Sequence, residues 1–188
     1  MKVLVIPEDP TLDQHILKPI VESLLEDLGR RARVAILQDP HLTGVSEALD
    51  QKMVERIISE NPMEDLFLLM VDRDGDRLGN SELAKAREAE HPRKLIACLA
   101  LEEIEVWMLA LHREELDVSW SEVRAHHDPK EEYAQPFLSR KGWTMQVGRG
   151  RKRAMRELAT RWKSLLTVCP EIAELRDRLR ERLASTVA

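Results

Sequence analysis

The sequence predicts an α/β fold: an open, mainly parallel sheet with helices on both faces and a helical cap at its C-terminal end. Three observations predict it. Short apolar runs alternate with helix-periodic stretches through the first hundred residues. The run at 66–71, "LFLLMV", is apolar throughout, as a strand covered on both faces requires. Beyond residue 112 the strand-like runs stop and only helical or broken polar segments follow.

Each element has its own signal. Residues 2–6, "KVLVI", read as the first strand. Residues 12–28 read as a helix: Leu12, Ile16, Leu17, Ile20, Val21, Leu24, Leu25 and Leu28 share one face, Pro19 permits a kink and Gly29 is a stop. A second strand is expected at 33–37 and a second helix at 45–59. The third strand at 66–71 precedes a helix at 81–90, with Ser81 or Asn80 as its N-cap. The fourth strand is expected at 94–99. Strands separated by helices of this length pair in parallel through right-handed crossovers. A strongly helical stretch at 101–111 completes an α/β unit over 1–112. Residues 113–188 form the cap: 120–140 is polar and broken by Pro129 and Pro136, and helices are expected at 151–166 and 171–183, separated by Pro170.

The composition excludes several classes. The chain has 188 residues, 43 % hydrophobic and 34 % charged. No apolar run approaches the roughly 20 residues that span a bilayer. The start, "MKVLVIPEDP", is too short and too soon acidic for a signal peptide, so no membrane partner is expected. Cys98 and Cys169 supply neither a disulfide framework nor a zinc spacing, which suits a reduced, cytoplasmic setting. The net charge of −5 argues against a protein coated in nucleic acid. That charge is uneven, however. Residues 139–163 hold nine bases and one acid, so an acidic body carries one basic segment.

In open α/β sheets, ligands bind beyond the carboxyl ends of the strands. Three acidic groups fall at such ends: Glu8 and Asp9 after the first strand, Asp72, Asp74 and Asp76 after the third, and Glu102, Glu103 and Glu105 after the fourth. If those strands are neighbours, the groups meet at one edge. Crowded carboxylates repel one another and hold protons more tightly, which a hard cation offsets. Mg²⁺ (or Mn²⁺) is the expected cofactor, because it takes one or two carboxylates together with water and phosphate oxygens. If strand geometry persists past the third strand, Asp72 and Asp74 point the same way. "DRDGDRLGN" is also good turn composition. It is not a calcium loop, because Arg77 stands where that loop needs glycine and Leu83 where it needs glutamate.

These residues carry a resemblance. "VIPEDPTLDQHILKPIVESLL" resembles the opening of TOPRIM domains, "FLLMVDRDGD" resembles their strand ending in Asp-x-Asp, and "LEEIEVWMLA" is similar to a segment of small bacterial TOPRIM-like proteins, some linked with phage defence. The resemblance covers 1–111. Two departures are visible: Asp9 follows the glutamate where TOPRIM has glycine, and one extra residue separates Glu8 from Asp13. The resemblance implies a TOPRIM-like sheet and a Mg²⁺-dependent nuclease. Asp72 and Asp74 would be metal ligands, Glu8 an acid/base or further metal ligand, and Glu105 a second catalytic carboxylate; Glu102, three residues before Glu105 and so expected on the same helical face, is a further candidate metal ligand. It also allows a partner ATPase.

The smaller signals fit the same picture. "SRKGWTMQVGRGRKR" offers Arg149, Arg151, Lys152 and Arg153 for phosphates and Trp143 for stacking on a base. Its plain alternative is a solvated helix face beside a glycine loop. Lys130, in "HHDPKE", would contact a phosphate or developing negative charge; "DPK" also recurs in the TOPRIM-like group, and its alternative is an exposed turn. The leading expectation is a nuclease that holds nucleic acid. The alternatives are a non-catalytic TOPRIM-fold module or subunit of a defence complex, and a metal-dependent phosphatase or nucleotide-processing enzyme.

Overall fold

The computed structural model describes residues 1–76 and 79–185. Four strands, β1 (Lys2–Ile6), β2 (Arg33–Ile36), β3 (Leu66–Asp72) and β4 (Leu95–Ala100), form one open sheet in the order β2-β1-β3-β4. All its pairings are parallel, with Val5 opposite Leu68 and Asp72 opposite Ala100. The first, third and fourth strands are therefore neighbours, which is the condition that brings the acidic groups to one edge.

The pleat divides the core in two. Val3, Val5, Leu66, Leu68, Met70, Ile96 and Cys98 face one hydrophobic cluster, and Leu4, Ile6, Phe67, Leu69, Val71 and Ala97 face the other. Every residue of β3 is buried, as its unbroken apolar run requires. Helix α1 (Gln14–Asp27) buries Ile16, Leu17, Ile20, Val21, Leu24 and Leu25 in the first cluster. The second is covered by α2 (Val45–Ala48), α3 (Gln51–Glu60) and α4 (Asn80–Glu90).

Several boundaries differ from the periodicity. The helix expected at 45–59 is two, because Asp50 stops the first and caps the second, its Oδ1 accepting from the Met53 N–H at 2.9 Å. Helix α4 is entered through Gly79, and neither Asn80 nor Ser81 is its N-cap; Oδ1 of Asp76 accepts from the Ser81 N–H at 2.8 Å. The stretch at 101–111 yields only α5 (Glu105–Ala110), because Glu102 takes a left-handed backbone with φ 64°.

The C-terminal residues continue on the α1 side of the sheet. They form α6 (Trp120–Ala125), a π-helical turn (Lys130–Ala134), α7 (Gln135–Arg140), α8 (Arg151–Ala154), a 3₁₀ turn (Met155–Glu157), α9 (Leu158–Val168) and α10 (Pro170–Ser185). The helix expected at 151–166 is thus broken in three. Phe137, Leu158, Leu165, Leu175 and Leu179 join the same cluster as β1, β3 and β4, so the helices after residue 112 share the core of the sheet. Among the described residues no helix is long and apolar enough to cross a membrane.

Candidate functional site

The carboxyl ends of β1 and β3 and the start of α5 set four acids close together. Asp72 ends β3 and is 8 % exposed. Its Oδ1 accepts from the Ile104 N–H at 2.7 Å, and its own N–H donates to Oε2 of Glu8 at 3.3 Å. Asp13, just before α1, is buried, and its Oδ2 accepts from the Asp9 N–H at 3.0 Å. Glu105 opens α5 and is 2 % exposed.

This crowding governs the electrostatics. Burial pushes the Asp13 carboxyl up to about 8, helped by the charges of Glu105, Glu8 and Asp9. Burial likewise lifts Asp72 well above the usual carboxylate range, with Glu8, Glu105 and Asp13 adding to it. Glu8 is raised by burial, against the Asp72 N–H and Lys130, which favour its charge. Two cations answer the acids. Arg151 bonds Glu105 directly, its Nε 3.1 Å and its Nη2 2.5 Å from the same oxygen. Lys130 is half-buried; burial works against its charge, but Glu105, Asp72, Glu103 and Glu131 outweigh that and raise its pKa. Glu103 anchors the Lys130 turn, accepting its backbone N–H at 2.6 Å, and burial lifts its own carboxyl to about 7.

Not every sequence-derived residue falls where expected. The strand ends at Asp72, so Asp74 does not alternate with it. Asp74 lies exposed in a 3₁₀ turn with φ 49°, within electrostatic range of Glu8. Glu102 shares no helical face with Glu105, because α5 begins only at Glu105. Both Glu102 carboxylate oxygens are already used: one pairs with Arg73 and the other accepts from the Gly75 N–H at 2.6 Å. Its carbonyl accepts from the N–H groups of Arg73 and Asp74 at 3.0 and 3.2 Å. Glu102 is therefore the organiser of the Asp72–Asp76 turn. The composition hid this role, since the positive φ that permits it has no glycine to announce it.

The basic segment divides too. Arg151 is not a surface base; it is 3 % exposed and committed to Glu105. Trp143 is half-buried against Phe137 and His112, with Lys141 and Arg153 beside its ring at 5.8 and 5.9 Å. Arg149, Lys152 and Arg153 are exposed. Arg149, held at φ 50°, lines a cleft of about 540 Å³ with Glu8, Asp9, Thr11, His41, Thr43 and Lys130. That cleft lies beyond the carboxyl ends of β1 and β2 and is lined by both carboxylates and cations. The contributions of His41 and Thr43 carry no motif and were invisible in the sequence.

No protein-family model matches this chain, and neither the curated proteins nor the solved structures yield a significant match.

Proposed function

We propose that this chain is a Mg²⁺-dependent hydrolase of nucleic-acid phosphodiesters, a nuclease with a TOPRIM-like site. One observation carries the reading: Glu8, Asp13, Asp72 and Glu105 converge at the carboxyl end of the sheet, at the edge of a cleft that also presents Lys130 and Arg149. The raised proton affinities of Asp72, Asp13 and Glu8 are what a dication offsets, and that donor set suits a hard cation. Asp72 is the proposed ligand, and Asp74, within electrostatic range of Glu8, is the proposed second one. Glu102 is better read as their scaffold.

A bound dication would supply charge to the phosphate and acidify water there. The chain's own groups do the rest. Glu8 is half-buried at the cleft, and its raised pKa suits it to take a proton from attacking water. Lys130, which lines the same cleft, meets the phosphate oxygens. Arg149, Lys152 and Arg153 hold the flanking backbone. Glu105, locked by Arg151, keeps negative potential behind Asp72. Positive φ at Asp74 and Asp76 in the turn after β3, and at Glu102 which holds it, supports a functional reading of the turn.

A second reading has its own observation. The cleft volume lies in the range of small-molecule sites. A phosphatase or nucleotide-processing enzyme would use the same acids on a single nucleotide. The discriminating experiment compares Mg²⁺-dependent turnover of plasmid, single-stranded DNA, RNA and free nucleotides by the full chain and by Asp72→Asn. The nuclease reading expects polymer cleavage lost in the variant. Turnover of nucleotides alone favours the second reading, and activity unchanged by Asp72→Asn removes the site from both. A partner ATPase and a role in phage defence belong to the nuclease reading as proposals; adding cell extract from a phage-challenged host tests whether cleavage requires them.

A further inference from the structure

Away from the acidic site, the His112 imidazole faces acceptors on both sides. It is 1 % exposed and lies two residues beyond α5. Nε2 lies 3.0 Å from the Ala154 carbonyl oxygen, and Nδ1 lies 2.9 Å from Oε1 of Glu115. Neither partner can donate. A neutral imidazole has one N–H and satisfies only one of them, leaving a lone pair against an oxygen. The carbonyl is fixed in the backbone and needs a hydrogen facing it, whereas the carboxylate is satisfied by a proton or a metal ion, so a metal-bound imidazole carries its hydrogen on Nε2. The Nδ1 lone pair then faces Glu115, and a positive centre, a proton or a metal ion, must lie between them.

Glu157 reaches the same point: ligand atoms of His112, Glu115 and Glu157 all lie within 4.8 Å of one another. This differs from a patch of acids. The imidazole is buried, its ring is packed against Phe137 at 5.0 Å, and its Nε2 faces a backbone acceptor outside the cluster. Metal-bound histidines characteristically donate their other N–H in this way, and ligating carboxylates are hydrogen-bonded in turn. Both carboxylates meet that condition. Lys141 pairs with Oε2 of Glu115, and the Arg161 Nε donates to Oε2 of Glu157 at 3.1 Å. Each thereby keeps its other oxygen for the shared point.

We propose that His112, Glu115 and Glu157 form a binding site for a first-row transition dication of the Zn²⁺ class, separate from the acidic site. One imidazole and two carboxylates leave a fourth position open for water, and the nitrogen ligand selects against Mg²⁺. The two glutamate side chains are 35 % and 43 % exposed, so the ion enters from solvent. Its place in the fold gives it a consequence. His112 follows α5 and Glu157 follows α8, the same two segments that Glu105 and Arg151 join at their other ends. The ion would clip them together a second time.

The test is a titration of Co²⁺ into the metal-stripped full chain, followed by visible absorption. One equivalent is expected to produce tetrahedral d–d bands that Zn²⁺ abolishes and excess Mg²⁺ does not. Glu157→Gln, at a half-exposed position outside the core, should weaken the Co²⁺ affinity by about 10- to 100-fold. Asp72→Asn should leave the bands unchanged, which separates this site from the proposed nuclease centre. Absence of bands, bands indifferent to Glu157→Gln, or bands lost in Asp72→Asn would each overturn the assignment. So would ¹⁵N spectra in which both His112 ring nitrogens stay protonated in excess Zn²⁺, since a proton would then be the ion between them.

Discussion

Arg151 gives two hydrogen bonds to a single oxygen of Glu105, at 3.1 and 2.5 Å, with both side chains at most 3 % exposed. The pair joins the first residue of α5 to the first residue of α8. It therefore ties the basic segment to the floor of the acidic site. It also offsets part of the negative charge that lies behind Asp72.

Removing one partner strands the other in the core. Arg151→Met is expected to destabilise the fold by about 3–5 kcal/mol, because an uncompensated buried carboxylate remains. Adding Glu105→Gln should recover much of that loss. Urea denaturation of the two single variants and the double variant measures the coupling. Additive losses would mean that the pair is not the interaction holding α5 to α8.

The site should make stability depend on pH in an uncommon direction. Asp13 holds its proton up to about pH 8 in the fold, whereas an unfolded aspartate releases it near 4. Between those values the native state binds more protons than the unfolded state, so stability falls as pH rises. The Asp13 contribution is complete below the unfolded value and is lost as pH rises through about 8. Metal-free protein should melt at a higher temperature at pH 5.5 than at pH 8, and Asp13→Asn should flatten that slope. Mg²⁺ should raise the melting temperature at pH 8 more than at pH 5.5. A melting temperature that rises with pH across this window would contradict the arrangement.

Glu102 lends itself to a backbone test. Its φ of 64° costs an L-residue about 1 kcal/mol, which glycine does not incur. Glu102→Ala loses the bonds to Arg73 and to the Gly75 N–H while keeping the strain; Glu102→Gly loses the bonds alone. The glycine variant should be the more stable by about 1 kcal/mol, and both should show loosened exchange protection at the Gly75 amide. Equal stability of the two would show that the left-handed turn is not held in solution.

Arg149 and Lys130 should separate in function. Arg149→Ala is expected to weaken nucleic-acid binding and lower its salt dependence by about one phosphate contact, with Mg²⁺ affinity unchanged. Lys130→Ala should lower turnover by about 100-fold, as for loss of one charge-stabilising donor. Filter binding across a salt series and single-turnover cleavage test the two. Identical effects from both variants would refute the division of labour.

The sheet was legible in the sequence because its signals are local and redundant. The apolar run ending in Asp72, the helical spacing of Ile16 to Leu25 and the stop at Gly29 each point one way. The meeting of the acidic ends followed from parallel strands and needed only β1, β3 and β4 to be neighbours. The turn after Asp72 was not legible. Alternation placed Asp74 beside Asp72, but the Glu102 side chain and carbonyl hold the chain in a left-handed turn that begins at Asp74 itself. That contact spans 27 residues to Gly75, and no local pattern records it. Arg151 was misplaced for a related reason. In a run of five bases within eight residues (149–156), composition cannot say which one turns inward. The choice is made by Glu105, which needs a buried partner. His41 and Thr43 reach the cleft only through the course of the loop after β2.

The central claim is that the acids around Asp72 hold a dication used on phosphodiesters. Calorimetric titration of Mg²⁺ and Mn²⁺ into the full chain and into Asp72→Asn, with plasmid and single-strand cleavage in the same buffers, tests it most directly. The account predicts saturable binding and metal-dependent cleavage in the wild type, both lost in a variant that still folds. Cleavage that survives Asp72→Asn, or no binding in either protein, would contradict it.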